Sequence, residues 1–467
     1  MSDVVVFGAT AAGVAAAVAA HEAGATVTLV EPGRHLGGMV SGGLSWTDVG
    51  DTRVLGGFAR RFYAAVAEHY GAALWEVKGP EPHVAETLFE SFLDGVDVRV
   101  EERKLPDAAV YVDASYEGDL LPRFGVPFAV GRESRALYGE RWAGRQPAYR
   151  PGKHNFPVPL SPFRDDGRLL AWIREPELDD DGWPAERLGE GDGALQAYAF
   201  RICLTNRDPA PFDEPAGYDP SEFELLDRYR AACPGAELMG LVPDLLPNGK
   251  CDVNSIGPFS LNVLDGSNRE YLDGDRAAVR AHHLAYTQRF LFHVAPAGWG
   301  LCADEFVDSG GWPHQLYVRD ARRLLGDYVL RESDLTAGLV PDDTVALGSY
   351  NIDIREVERT WRYLPEYVRT PAVFNEGYLS VAVPPYGIPY RSLTPQREHA
   401  SNLLACVCVS ASHVAFASVR MEPTLMLLGQ AAGLAAAQAA RRGVPVQDVD
   451  VGALHDALRA EQQVLAP

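Results

Sequence analysis

The sequence predicts an α/β protein: a parallel sheet assembled from both ends of the chain, with an α+β domain inserted between them. Three observations predict it. Residues 4–31 read as strand, glycine turn, helix and strand. The stretch 122–390 changes texture, with frequent Pro, Gly, Trp and Tyr and a polar, acidic loop region at 164–192. From residue 402 the chain returns to an apolar strand and an Ala-rich helix. A sheet opened at one end and resumed at the other is a discontinuous domain, here 1–121 with 391–467, leaving 122–390 as a substrate-binding or cap domain.

Each element has its reason. Val4 to Phe7 is a continuous apolar run, as in a strand buried on both faces. Gly8-Ala9-Thr10-Ala11-Ala12-Gly13 follows and opens a helix that ends near Gly24; Ala25 to Val30 is a second strand closed by Glu31. Residues 53–70 carry Val54, Phe58, Phe62, Ala65 and Val66 on one helical side, and 84–93 read as another helix. Strands are expected at 96–100, 108–113 and 402–409, and a helix at 421–441. In the middle, helices are expected at 222–232, 276–292, 316–324 and 356–361.

Composition bounds the function. The chain has 467 residues, 47% hydrophobic and 23% charged, with a formal net charge of −22. That excludes disorder, a disulfide-stapled miniprotein and a collagen-like fibre. It argues against nucleic acid, whose phosphates need a basic face, and an acidic surface repels anionic lipid. The six cysteines include no C-x-x-C, so buried thiols are expected rather than a metal or dithiol centre. The Ala-rich start has Asp3 as its only charge and lacks a basic n-region, so no secretory leader is expected. No apolar run reaches the roughly 18 residues of a membrane span. A cytoplasmic protein follows, with a small-molecule substrate as partner; the oligomeric state is open.

The opening unit is the dinucleotide-binding arrangement. A tight turn at Gly8 and close packing at Gly13 bring a helix N-terminus to a pyrophosphate, whose charge its N–H groups and dipole stabilise. Ala9, Thr10 and Ala12 line the same turn, and Thr10 stands where G-x-G-x-x-G has its middle glycine. Glu31, followed by Pro32, is placed to accept from the adenosine ribose. Gly37-Gly38-Met39-Val40-Ser41-Gly42-Gly43-Leu44 then has four glycines in seven residues, which lets backbone approach a large flat ligand. That loop, straight after the ribose acid, separates FAD from NAD.

With both ends read, the sequence resembles the bacterial FAD-dependent oxidoreductase family of glutathione-reductase-like, two-dinucleotide-fold flavoproteins. The matching stretches are GGMVSGGLSWTDVGDTRVLGGFARRFY (37–63), EPHVAE (81–86), YVDASYEGDL (111–120), FRICLTN (200–206) and PAGYDPSEFELL (215–226). They continue with SGGWPHQLYVRDARRLLGDYVL (309–330, Ser309 replacing Asn), YRSLTP (390–395) and SASHVAFASVRMEPTLMLLGQAAG (410–433). The resemblance implies a Rossmann-like FAD-binding domain in which 1–31 hold the ADP half of FAD. It implies that Gly37 to Leu44 and Arg420-Met421-Glu422 hold the isoalloxazine, with Ala114 and Ser115 completing the cofactor set. Pro423 suits a first helical turn, so a helix starting near Met421 would aim its positive end at flavin N1 and O2. Two departures stand out. Family members often read Asp-Ser-His where this chain has Asp353-Ile354-Arg355, and the step from Val100 to Ala109 is too short for the usual β-meander.

A flavin takes a hydride at N5, and the protein supplies position and a base. Of the 12 histidines, His413 is the expected base, lying between the last strand and the flavin-facing helix. Arg420 would clamp a carboxylate or polarise a carbonyl. Tyr390 and Arg391 are candidates for a second wall or a hinge, and Asp48, Asp353 and Arg355 are further candidates. His282, His283, His293 and His314 have no metal-triad spacing, and no metal is expected. Trp142, Tyr149, Trp172, Tyr198, Trp312 and Tyr386 would suit a sugar-like or aromatic substrate. The function expected is oxidation of a small organic substrate. The alternatives are FAD assisting a net non-redox elimination or isomerisation, and a non-catalytic module that binds NAD.

Overall fold

The computed structural model describes residues 2–147, 154–364 and 370–467. They form two compact units. The first combines residues up to 130 with 320–353 and 381–467; the second combines 131–319 with 354–380. Segments 122–130, 320–353 and 381–390 thus join the first unit, although they fall within the stretch expected to form the cap.

In the first unit, β1 (Ser2–Phe7), β2 (Val27–Val30), β3 (Asp97–Arg99), β4 (Ala108–Asp113) and β5 (Leu403–Ala405) form a parallel sheet in the order β5-β4-β1-β2-β3. Val4 pairs with Val27 on one side and Val110 on the other, and Leu403 pairs with Tyr111. The chain winds outward from β1 to β3, then crosses to β4 and β5. The order therefore reverses between β1 and β4, and a crevice opens there at the carboxyl ends of the strands.

Helix α1 (Ala11–Glu22) is buried from Ala11 to Ala20, being apolar all round. It packs on β1 and β2 and against a long helix near the C-terminus. The unit also contains α2 (Gly57–Tyr70), α3 (Pro82–Phe92), α4 (His413–Val419), α5 (Glu422–Arg442) and α6 (Val451–Ala460). The long helix is α5, and glycines let it approach α1. A Cβ built on Gly429 would lie 2.1 Å from Ala12 O, and one on Gly433 would lie 2.2 Å from Ala16 O. The backbones touch where any side chain would separate them.

The second unit has an antiparallel sheet of strands Met239–Gly240, Lys250–Ser255, Ile202–Thr205 and Gly300–Leu301, in that spatial order. A hairpin pairs Glu358–Tyr363 with Pro371–Glu376, and helices run over Glu224–Ala232 and Arg276–Val294. Buried Arg132 bonds both oxygens of Glu376, at 2.8 and 2.9 Å, and also Asp192. The Cys203 and Cys302 thiols lie 3.5 Å apart across the sheet, and all six cysteines are free.

Three expected elements differ. Residues 316–324 form no helix. Tyr317 N bonds Ala199 O, the Arg319 guanidinium bonds Ala197 O, and Arg323–Leu324 pairs with Phe128–Ala129. These long-range bonds override a local helical preference. Residues 356–361 fall largely in the hairpin strand, as its Thr360, Trp361 and Tyr363 favour. The strand expected at 402–409 stops at Ala405, and the chain then wraps the end of β4, Cys406 N donating to Asp113 O at 3.1 Å. Among the described residues no helix is long and apolar enough to cross a membrane.

Candidate functional site

The turn after β1 is shaped by what touches it. Gly8 has φ +94°, and a Cβ there would lie 2.9 Å from Ser115 N. Gly13 is tighter, its Cβ falling 1.9 Å from Gly8 O. Thr10 does two things that a glycine could not. Its hydroxyl caps α1, accepting from Gly13 N at 3.1 Å, and donates to Ala114 O at 2.8 Å. The α1 N-terminus is thereby tied across the crevice to the end of β4. No acidic residue stands in the first turn of α1, and Ala9 and Ala12 are buried there. Free N–H groups and the helix dipole suit a diphosphate at that point.

Glu31 ends β2 and holds the same turn, accepting from Ala9 N at 2.7 Å and Gly33 N at 2.5 Å. Burial raises its carboxyl above the usual range despite these bonds. Pro32 follows, half-buried. Beyond β4, Asp113 accepts from Ser115 N at 3.0 Å, Ser115 Oγ at 2.6 Å and Leu120 N at 2.7 Å, and burial pushes it up to about 7.

The Gly-rich loop comes back to the turn. Gly37 N donates to Ala9 O at 2.7 Å, and Gly37 bridges Thr10. A Cβ on Gly37 would lie 2.4 Å from the Phe89 ring. The Ser41 hydroxyl donates to Leu36 O, Gly42 N and Leu44 N both donate to Met39 O, and Gly43 has φ +128°. Glu86 of α3 clamps the near end, accepting from Leu36 N at 2.9 Å and meeting His35 Nδ1 at 3.1 Å.

The far end of the loop reaches α5. Met39 N donates to the Tyr116 hydroxyl at 2.9 Å, and that hydroxyl donates to Glu422 Oε1 at 2.9 Å. Met421 is the N-cap of α5, with Glu422 and Pro423 in its first turn. Burial pushes the Glu422 carboxyl up to about 8. Glu86, Tyr116 and Glu422 are separated by tens to hundreds of residues. Of the three, the sequence points only to Glu422, although Glu86 lies in EPHVAE (81–86) and Tyr116 in YVDASYEGDL (111–120).

His413 is buried at the first turn of α4, whose N-cap Ser412 accepts from Ala415 N at 3.1 Å. Arg420 ends the same helix, about 10 Å further along its axis at 1.5 Å per residue. Its Nη2 donates to Asp353 O at 2.9 Å and reaches Asp353 Oδ2 at 3.4 Å. Tyr350 stands beside this pair, its hydroxyl bonded to Asp48 and its carbonyl accepting from Ser418 Oγ at 2.6 Å. Burial, with the charges of Asp48 and Asp353, holds the Tyr350 phenol well above its ordinary range.

Other candidates stand apart from this group. Tyr390 is buried and donates its hydroxyl to Val446 O at 2.7 Å. Arg391 is half exposed, pairs with Asp343 at 3.2 Å and lies 4.5 Å from the Tyr328 ring centroid. In the second unit, Arg355 is buried against His154, Nη1 to Nε2 being 3.2 Å, and its Nε lies 3.3 Å from Glu356. His282 meets Asp265 at 2.7 Å, His283 meets Ser267 at 3.1 Å and His293 meets Asp227 at 3.0 Å. Tyr198 and Tyr386 are fully buried, while Trp142, Trp172 and Trp312 are half-buried; Tyr149 lies outside the described residues.

The first unit's residues fit a flavin nucleotide. Gly8, Gly13, Gly37 and Gly38 let neighbouring protein atoms pack where a Cβ would stand, so the turn, the loop and Tyr116 close tightly on one another. Two buried polar atoms, Ser45 Oγ and Glu422 Oε2, have no hydrogen-bond partner among the described residues, although buried groups are normally paired. Two helix N-termini face the loop that joins them, so fold and site together define a dinucleotide-binding α/β protein. The family model described as FAD dependent oxidoreductase matches residues 3–104 and 94–458, and the chain belongs to that family, with FAD as its cofactor.

No curated protein matches the chain. Among solved structures, an oxidised steroid monooxygenase bound to NADP is 20% identical over 24% of this chain and 25% of its own, with TM-score 0.18. A flavoprotein/dehydrogenase from Cytophaga hutchinsonii is 19% identical over 27% and 42%, with TM-score 0.20. The T. acidophilum thioredoxin reductase is 16% identical over 24% and 34%, with TM-score 0.16. The matched part therefore spans less than half the length of each of these three proteins.

Proposed function

We propose that this chain oxidises a small organic substrate, with FAD in the first unit accepting a hydride at N5. One observation carries the reading: the α1 and α5 N-termini are joined through one loop, by Gly37 to Ala9 and by Met39 through Tyr116 to Glu422. Gly8, Ala9, Thr10, Ala12 and Gly13 would hold the diphosphate, and Glu31 with Pro32 the adenosine ribose. Gly37, Gly38, Met39, Ser41, Gly42, Gly43 and Leu44 would line the ring system, with Ala114, Ser115, Met421 and Glu422 beside them.

His413 takes the O–H or N–H proton of the substrate in this reading, since an imidazole titrates near neutral pH. Arg420 holds a substrate carboxylate or carbonyl. Its bonds to Asp353 fix the guanidinium in advance, so little side-chain freedom is lost on binding. The Asp48–Tyr350 pair adds a protonated phenol beside it. Tyr390 and Arg391 serve the fold, because their bonds go to Val446 and Asp343. A net charge of −22 makes nucleic acid an unsuitable partner, and six free cysteines fit a cytoplasmic location.

The test is anaerobic mixing of the purified holoprotein with small alcohols, amines and hydroxy acids. Bleaching of the visible flavin band by a compound that is converted supports the reading. Conversion without bleaching removes hydride transfer and leaves a net non-redox reaction.

A further inference from the structure

Tyr116 sits between two elements that the sequence keeps far apart. Its hydroxyl accepts from Met39 N at 2.9 Å and donates to Glu422 Oε1 at 2.9 Å. Both side chains are buried, Tyr116 at 6% and Glu422 at 3% exposure. Gly38 makes the approach possible, since a Cβ there would lie 2.5 Å from the Tyr116 hydroxyl oxygen. The far carboxyl oxygen, Glu422 Oε2, is buried and has no hydrogen-bond partner among the described residues. A buried, unpaired carboxyl oxygen carries a desolvation cost that a ligand with matching polar atoms removes. The pyrimidine edge of a flavin has such atoms, two carbonyl acceptors and one imide N–H donor. A protonated carboxyl would donate from this oxygen to one of those carbonyls.

We infer that Glu422 Oε2 is a hydrogen-bonding contact to the pyrimidine edge of FAD, and that Tyr116 is the positioning residue that aims it. The inference rests on the proposed seat of the flavin between the loop 37–44 and the start of α5. The protonation state follows from the surroundings. Burial pushes Glu422 up to about 8, so below that pH Oε2 has a proton to donate while Oε1 accepts from Tyr116. A neutral acid also leaves the positive end of α5 uncancelled, whereas an ionised one would oppose it. The groups facing it are Tyr116, from the loop after β4, and Tyr63, from α2. Burial raises both phenols well above their ordinary range, so neither titrates with it. Arg420, two residues earlier, directs its guanidinium to Asp353.

The experiment follows FAD release from the diluted holoprotein by the rise of flavin fluorescence, from well below to well above pH 8. Wild-type release should accelerate about tenfold through that range, the net worth of one hydrogen bond. Glu422→Gln, which keeps a donor and cannot ionise, should release slowly with no break. Glu422→Leu should release quickly at every pH. Tyr116→Phe should keep the break but move it upward, because the tyrosine's bond lowers the Glu422 pKa. A merely structural tyrosine would leave the break in place, and that result overturns its positioning role. Equal release by all variants, or the same pH profile for wild type and Glu422→Gln, overturns the contact. A wild-type protein without flavin overturns the proposed seat and the contact together.

Discussion

Thr10 offers the sharpest test of how the nucleotide turn is built. A family glycine would be expected to do better at this position only if the backbone needed it. Thr10 has φ −63° and ψ 170°, which any residue adopts. Its hydroxyl makes two bonds, from Gly13 N at 3.1 Å and to Ala114 O at 2.8 Å. Losing the cap costs about 1 kcal/mol, and leaving a buried carbonyl unpaired costs about 1 kcal/mol or more. Thr10→Ala should therefore destabilise the first unit by about 2 kcal/mol. Thr10→Gly, which restores the glycine motif, should lose about 1 kcal/mol, since glycine costs the cap only a few tenths but cannot make the bond to Ala114. Thr10→Ser should stay within about 0.5 kcal/mol of wild type. Urea unfolding of the holoprotein, read by far-ultraviolet dichroism and by flavin fluorescence, gives the comparison. A Thr10→Gly protein as stable as wild type would refute the reasoning.

Three further outcomes are expected. Gly433→Ala brings a Cβ to 2.2 Å from Ala16 O, so it should cost up to about 3 kcal/mol and lower the urea midpoint. Arg420→Lys keeps the charge but not the fork, and His413→Ala removes the proposed base. Each should slow anaerobic flavin reduction by roughly tenfold or more while leaving the bound-flavin spectrum in place. Glu422 has a folded pKa raised to about 8, so the native state binds a proton that the unfolded chain has lost. Its contribution to stability is complete below the ordinary glutamate range and is lost as pH rises towards 8. Glu422→Gln should flatten that decline in a melting-temperature series against pH.

What was legible in the sequence was local. Residues 4–31 state their strand, turn, helix and strand within one short window, and Pro423 marks the start of α5. What was not legible depends on distance. Tyr116 and Glu422 are 306 residues apart, and Glu86 reaches a loop some 50 residues earlier. No periodicity reports such pairs. The helices expected at 316–324 and 356–361 failed for the same reason, because bonds to Ala199, Ala197 and the partner hairpin strand decide those backbones. Tyr390 and Arg391 adjoin the returning chain, and their side chains bond Val446 and Asp343, partners that no local pattern names. Thr10 breaks the expected pattern at one position, and its hydroxyl supplies the link to β4.

The central claim is that the crevice between β1 and β4, closed by the loop 37–44 and the α5 N-terminus, holds FAD. The visible spectrum of the purified protein, with the pigment released by denaturation and identified, tests it most directly. The account predicts a yellow protein that carries FAD in proportion to folded chain. A colourless protein that resists FAD loading and binds NAD instead would contradict it.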